Sequence, residues 1–439
     1  MKRRTFIKAA AGAPVASALS GGSAAFGADC GEGETSGPPA SLRSRAAYVP
    51  GYWPDTAHSQ GLSARFHPDI GRNVPTDYDG PVRLLTRLGF DGSLKQAVFP
   101  VFGHDVAISP DGSVGFFGSL EYENFVSFDP QTLDLIAIGR PLGEGWIGGG
   151  HGLYLDDGKV LTVTERAPKT GYLGTPEQHH GRISFRDPVT LAETHHCSSH
   201  GISPHDIRAI DGGRYVAIAH YGSTYPAGKR SYGLPRHIVE PSIAIVEAAS
   251  GKLVEKILTG TSGFELRHLC PVDRQTLFAI QVDMQPDDLD EPFRENQTAL
   301  YEKDLTTLGG ESYFPAPMVK VAGNNRSAKA LGTTDQQIRM RQGISIARDD
   351  EHGQVIATYP SSQRVLIFDE SSGDVIEEIA TDELGLDYPC GVAVLGDTPF
   401  FVITGHWKNM FVFRRGSGEL VRDLCHYTTF FGHSHICVA

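Results

Sequence analysis

Positive charge is in short supply: 39 Lys and Arg stand against 52 Asp and Glu in 439 residues, a formal net charge of −13. With no surplus of cations to displace counterions from a phosphate backbone or to hold an anionic bilayer, nucleic acid and membrane surfaces are excluded as main partners. Cysteine is also sparse, and six are too few to staple a chain of this length as a disulfide scaffold. No stretch of the mature chain approaches the ~20 apolar residues of a transmembrane segment. Common catalytic signatures are missing as well: Cys-x-x-Cys-His, Gly-x-Ser-x-Gly and His-Glu-x-x-His do not occur.

What is present argues for a large, turn-rich core. Apolar residues make up 40% and charged residues only 21%, which excludes a wholly disordered or coiled-coil chain. Gly and Pro number 51 and 27, well above average use, and favour many turns over long helices. The N-terminus reads as an address. Lys2-Arg3-Arg4-Thr5-Phe6-Ile7-Lys8 precedes a weakly apolar Ala/Gly/Ser stretch, the layout of a twin-arginine signal over residues 1–28. Export to the periplasm is therefore expected. That route carries folded proteins, often already loaded with a cofactor. Residues 29–45, rich in Gly, Ser, Pro and charge, read as a flexible linker.

Beyond residue 45 the chain repeats. A strand, a polar turn and Thr-Leu or Ser-Gly recur at Phe125–Leu133, Ile183–Leu191, Ile243–Gly251 and Val365–Gly373, and more loosely at Leu300–Leu308 and Met410–Gly418. A second repeat runs in phase with it: a polar residue, a spacer, then alternating apolar residues. It opens at His104, His151, His205, His268, Gln342, Cys390 and the Ser434-His435 pair, at spacings of 44 to 74 residues. Seven units of that length match four-stranded propeller blades. The expected architecture is an all-β, seven-bladed β-propeller over residues 46–439. Its last blade begins at the C-terminus and is closed by N-terminal strands around Ala46–Val101.

Turns after the seven inner strands are tight, as in Ser109-Pro110-Asp111-Gly112. Long segments fall at Arg166–Gly181, Tyr221–Pro241 and Asp283–Gln297, between second and third strands, and at Val319–Met340, between a fourth strand and the next inner one. Both long types emerge on one face, which is where functional loops are expected. A residue opening an innermost strand sits at the channel mouth. His104, His151, His205 and His268 are thus expected to converge there as ligands of a transition metal, with Cys390 or Gln342 completing the shell. Imidazole with thiolate suits copper or zinc, and imidazole with carboxylate suits iron, manganese or zinc. An outer rim on the same face would hold Glu121, Glu165, His220, Gln281 and His406, with His433 or His435 standing in for a seventh donor.

Plainer readings of these residues stand beside these. A polar residue on a channel strand can simply face a watery bore, Cys390 can be a small core residue, and Glu121 and Glu165 can pair with arginines. His179, His180, His195, His196 and His200 fall in a loop or outer strand and are expected to be solvated. A Cys425–Cys437 disulfide is open on spacing.

The segments Phe102-Gly103-His104-Asp105, Gly201-Ile202-Ser203-Pro204-His205-Asp206-Ile207, Leu266-Arg267-His268-Leu269 and Arg341-Gln342-Gly343-Ile344 resemble a bacterial, twin-arginine-exported β-propeller family, the domain of unknown function 1513. Its genes often lie beside imelysin-type, iron-regulated proteins. The resemblance, from about His104 onward, implies a periplasmic propeller handling iron or another metal, with periplasmic iron-uptake or redox proteins as partners. It supplies no reaction. The leading expectation is a non-catalytic binder of iron or copper, with zinc less favoured. A metal-dependent oxidoreductase or hydrolase is the alternative, on a layout that resembles lactonases and the copper propeller of nitrous oxide reductase. A metal-free interaction scaffold is a third.

Overall fold

The computed structural model describes residues 38–51, 69–168, 175–224, 237–238, 240–259, 264–283, 315–323, 326–429 and 435–439. The signal segment, residues 29–37 of the expected linker, the Leu300–Leu308 repeat and His433 lie outside them. Among the described residues no helix is long and apolar enough to cross a membrane.

Seven four-stranded antiparallel sheets follow one another as blades of a β-propeller. The inner strands of blades 2 to 7 are Gly103–Ile108, Ile147–Leu155, Pro204–Ile210, Phe264–Pro271, Ile346–Asp349 and Pro389–Val394. Blade 1 closes the ring as the repeat phase requires. Its inner strand is the C-terminal Cys437–Val438, paired with Ala46–Gly51, and then come Arg83–Gly89 and Leu94–Phe99.

The strands form where they do because their side chains are apolar on both faces. Along Tyr215–His220, Val216 and Ile218 pack against blade 3, while Tyr215, Ala217 and Ala219 pack against blade 5. A strand buried on two sides needs a continuous apolar run rather than strict alternation. Each of the seven junctions between neighbouring blades has its own apolar cluster, including one between blades 7 and 1 that joins Val402 and Met410 to Ala47 and Val49. Outermost strands, such as Leu135–Gly139, alternate exposed and less exposed positions.

The hairpin repeat has a local cause. Asp129, Asp187 and Asp369 each accept two backbone N–H groups from the turn that follows, at 2.7–3.1 Å. The chain then passes through a left-handed residue, with φ of 61° at Leu133, 60° at Leu191 and 82° at Gly373. An Asp two to three residues ahead of Thr/Ser and then Leu/Gly is the sequence trace of that turn.

Two expectations need correction. Val319–Met340 is not a single loop, because Val319–Val321 and Ala328–Ala330 are the third and fourth strands of blade 5. The expected linker is ordered at its end: Ala40–Arg43 forms one helical turn, and Leu42 is buried in the core between blades 7 and 1. The described cysteines are free thiols, Cys425 and Cys437 among them.

Candidate metal centre

Four imidazoles meet on the propeller axis. His104, His151, His268 and His435 are buried, and one nitrogen from each lies within 4.8 Å of those of the other three. Nε2 of His435 is 2.9 Å from that of His104, and Nε2 of His268 is 3.2 Å from that of His151. His205 joins as a fifth, its Nε2 3.3 Å from His104 and 3.2 Å from His268. Five blades thus contribute to one cluster, and the residues that meet there come from both ends of the chain.

Local backbone geometry aims these rings. The ladder between the first and second strands slips at Gly103/Val106, Gly148/Gly152, Pro204/Ile207 and Leu266/His268, so each inner-strand histidine of blades 2 to 5 sits at a bulge-like irregularity. Such a bulge redirects a side chain out of the regular pleat. In blade 3 the slip is built from Gly148, Gly149 and Gly150. Gly150 has φ of 110°, and a Cβ there would lie 2.7 Å from Cδ2 of His104. The backbone must pass close under the ring, which only glycine allows.

Outer partners fix the protons on two of the rings. The Gly149 carbonyl can only accept, so Nδ1 of His205, 2.7 Å away, carries the hydrogen and its Nε2 lone pair faces the cluster. His151 is oriented likewise: its Nδ1 is 2.9 Å from Asp105 Oδ2 and 3.5 Å from Asp206 Oδ1. Carboxylate–imidazole pairs of this kind are the usual outer shell of metal-binding histidines. Burial would raise the Asp206 carboxyl, but the Arg208 guanidinium and the Leu269 N–H outweigh it and hold it at about 2. Burial, followed by the neighbouring imidazoles, pushes His205 and His268 well below the ordinary imidazole value, so both are neutral donors at physiological pH.

The Nε2 separations of 2.9–3.3 Å fit a shared cation, and donor atoms as far apart as 4.8 Å close onto it with a small inward turn of the rings. Bonds of ~2.0–2.1 Å to imidazole nitrogen place donors about 3.3 Å apart at tetrahedral angles and about 2.9 Å apart at right angles. The lone pairs that His151 and His205 turn toward the cluster need either a cation or an Nε2–H of His104, His268 or His435 facing them. On the looped face the cluster is covered by Tyr221, whose hydroxyl is 3.3 Å from Nε2 of His205 and whose ring lies between the Arg166 and Arg267 guanidiniums.

The remaining expected residues have other partners. Gln342 Oε1 accepts hydrogen bonds from Ser361, at 2.6 Å, and from Tyr388. Cys390 Sγ lies 3.7 Å from Nδ1 of His406, and burial raises its thiol pKa, which opposes thiolate ligation. Neither residue belongs to the converging group. Of the outer set, only His435 does. Glu165 is fully buried between Arg182, Arg186 and Ser184, and Glu121 pairs with Arg166. His220 hydrogen-bonds to the Ser242 carbonyl, and Gln281 donates to that of Pro317. Burial holds His220 down to about 3 and His406 to about 4. His179 is buried rather than solvated, whereas His195 and His196 are exposed.

Sequence reasoning gave no role to Asp105, Asp206 or Tyr221. The first two were signalled by the His-Asp pairs at 104–105 and 205–206. Access also differs from expectation. A cavity of about 540 Å³ meets His151 and His435 and extends along the bore to Ile108 and Pro110, the end with the tight turns. Among the described residues, the cavity that reaches the histidines opens toward the plain face.

The fold and site define a seven-bladed propeller with a buried polyhistidine centre. The chain belongs to the DUF1513 family of proteins of unknown function, whose sequence profile matches residues 99–433. No protein of curated function matches it. Among solved structures it is similar to hydrazine synthase of Kuenenia stuttgartiensis, with 14% identity, a TM-score of 0.52 and coverage of 82% of this chain and 99% of that one. At that identity the likeness speaks to the fold alone. A chain of the mitotic checkpoint complex (9% identity, TM-score 0.48, 76% and 82% covered) and Sqt1 of Saccharomyces cerevisiae (10%, 0.45, 81% and 84%) are too distant to weigh.

Proposed function

We propose that this protein binds one transition-metal ion on its axis through His104, His151, His268 and His435, with His205 as a fifth donor. The observation that carries this is the convergence of the Nε2 atoms, with Nδ1–H of His151 and His205 turned outward onto Asp105 and the Gly149 carbonyl. The donor set is all imidazole, which suits copper, iron, nickel and zinc. Five donors exceed the four that structural zinc usually takes, which favours copper or iron.

The twin-arginine-like Lys2–Lys8 stretch supports export before use and a role in periplasmic metal uptake or handling, beside iron-uptake or redox proteins. The bore favours a second reading, a metal-dependent oxidoreductase or hydrolase, because it gives small molecules a path to the centre. Elemental analysis of the purified, folded protein tests the main reading. About one copper or iron per chain is expected, with loss of most of it when His104, His151, His268 and His435 are all replaced by Ala. Unchanged metal content in that variant overturns the assignment.

A further inference from the structure

The cavity beneath the histidines is more than a passage. Its volume of about 540 Å³ lies within the range of small-molecule sites, and its composition is that of one. Most of the wall is apolar, with Val106, Ile108, Leu153, Ile207, Val392 and Val394 along it. At the metal end, Asp105 and Asp206 each follow a ring histidine by one residue. The two acids are committed to His151 and, for Asp206, to Arg208 and the Leu269 N–H as well.

Two arginines line the same wall, and they differ. Arg348 is held by Glu370 through Nε and Nη2, at 2.6 and 3.0 Å. Arg208 spends only its Nε, on Asp206 at 3.0 Å, and its side chain is 44% exposed. Among the described residues its two Nη groups have no hydrogen-bond partner, so they face the bore as an open fork of donors. A guanidinium fork matches a carboxylate.

We propose that the bore is a binding site for a small organic carboxylate with an apolar body. Its carboxylate pairs with the Arg208 fork, its donor end takes the coordination position that His151 and His435 leave facing the cavity, and its apolar part lies along Val106, Ile207 and Val392. Tyr221, Arg166 and Arg267 cover the opposite side of the rings, so the ligand enters from the plain face. This inference rests on the metal reading above.

The test uses metal-loaded full-length protein, with metal content measured first. Isonicotinate, which carries a pyridine nitrogen opposite its carboxylate, is then titrated against the electron paramagnetic resonance or ligand-field spectrum of the centre, with azide as a ligand that needs no arginine. Isonicotinate is expected to shift the spectrum, to bind at least ten-fold more weakly to Arg208→Gln, which keeps a donor for Asp206, and to be excluded by Ala393→Trp, which fills the bore. Azide is expected to act equally on wild type and Arg208→Gln. A fully loaded protein on which azide acts but isonicotinate does not overturns the carboxylate assignment, and one that neither ligand perturbs overturns the open position. In both cases the metal reading stands. A protein that holds no metal fails at the first measurement instead, and takes the underlying reading with it.

Discussion

At the scale of single residues, the centre depends on histidines kept neutral. Desolvation by burial is the main cause, and it acts beyond the cluster: His220 is held to about 3 and His406 to about 4, against an ordinary value near 6.5. An unfolded chain protonates both rings as pH falls through about 6.5, while the folded chain does not. The unfolded state therefore binds more protons in that window, and stability falls with acidification from about pH 6.5 toward 4. His406→Gln removes one contributor, so urea midpoints at pH 7 and pH 5 should show a loss smaller by about 1–2 kcal/mol in the variant. An equal loss in both proteins would put the acid sensitivity elsewhere. Most of this scale was legible in sequence: the four inner-strand histidines were named from their phase. Cys390 and Gln342 share that phase yet have other partners, because His406, Ser361 and Tyr388 reach them from the turns beside neighbouring strands, and no spacing rule records a hydrogen bond of that kind.

At the scale of elements, the bulges decide which way the rings point. A regular strand would send alternate residues to the blade's two faces; the ladder slips at each inner-strand histidine turn them to the axis instead. Gly150 is the tightest point. A methyl group there meets His104 at 2.7 Å on a residue with φ of 110°, a conformation costly to any L side chain. Gly150→Ala should lower stability by about 1–2 kcal/mol and, by displacing His104, reduce metal occupancy more than Gly112→Ala, which has a positive φ but no atom within 4 Å of the added carbon. Equal occupancy in the two variants would separate the glycine run from the site. The sequence displayed Gly148-Gly149-Gly150 openly, yet its purpose depends on His104 and His205 arriving from other blades.

For the whole molecule the issue is closure. The ring is sealed where Cys437–Val438 pairs with Ala46–Gly51 and where Ala46 and Ala439 exchange backbone hydrogen bonds of 2.8 and 3.1 Å. At about 1 kcal/mol net for each hydrogen bond, with the packing of Cys437 added, removing residues 437–439 should cost about 2–4 kcal/mol. A lower urea midpoint together with lower metal content is expected, because His435 is anchored by that strand. Retention of both would mean that the seal contributes nothing to the centre.

By itself the sequence determined the number of blades, their order, the closure by N-terminal strands and the position of each inner-strand histidine. All of these follow from local periodicity, turn chemistry and apolar strands repeated at blade length. Tertiary structure alone decided which donors share a centre. His435 lies 331 positions from His104 yet 2.9 Å from it across the axis, and the open bore lies on the face that carries the shorter turns. The reason is that a ring places side chains by angle around an axis, whereas a sequence orders them only along the chain.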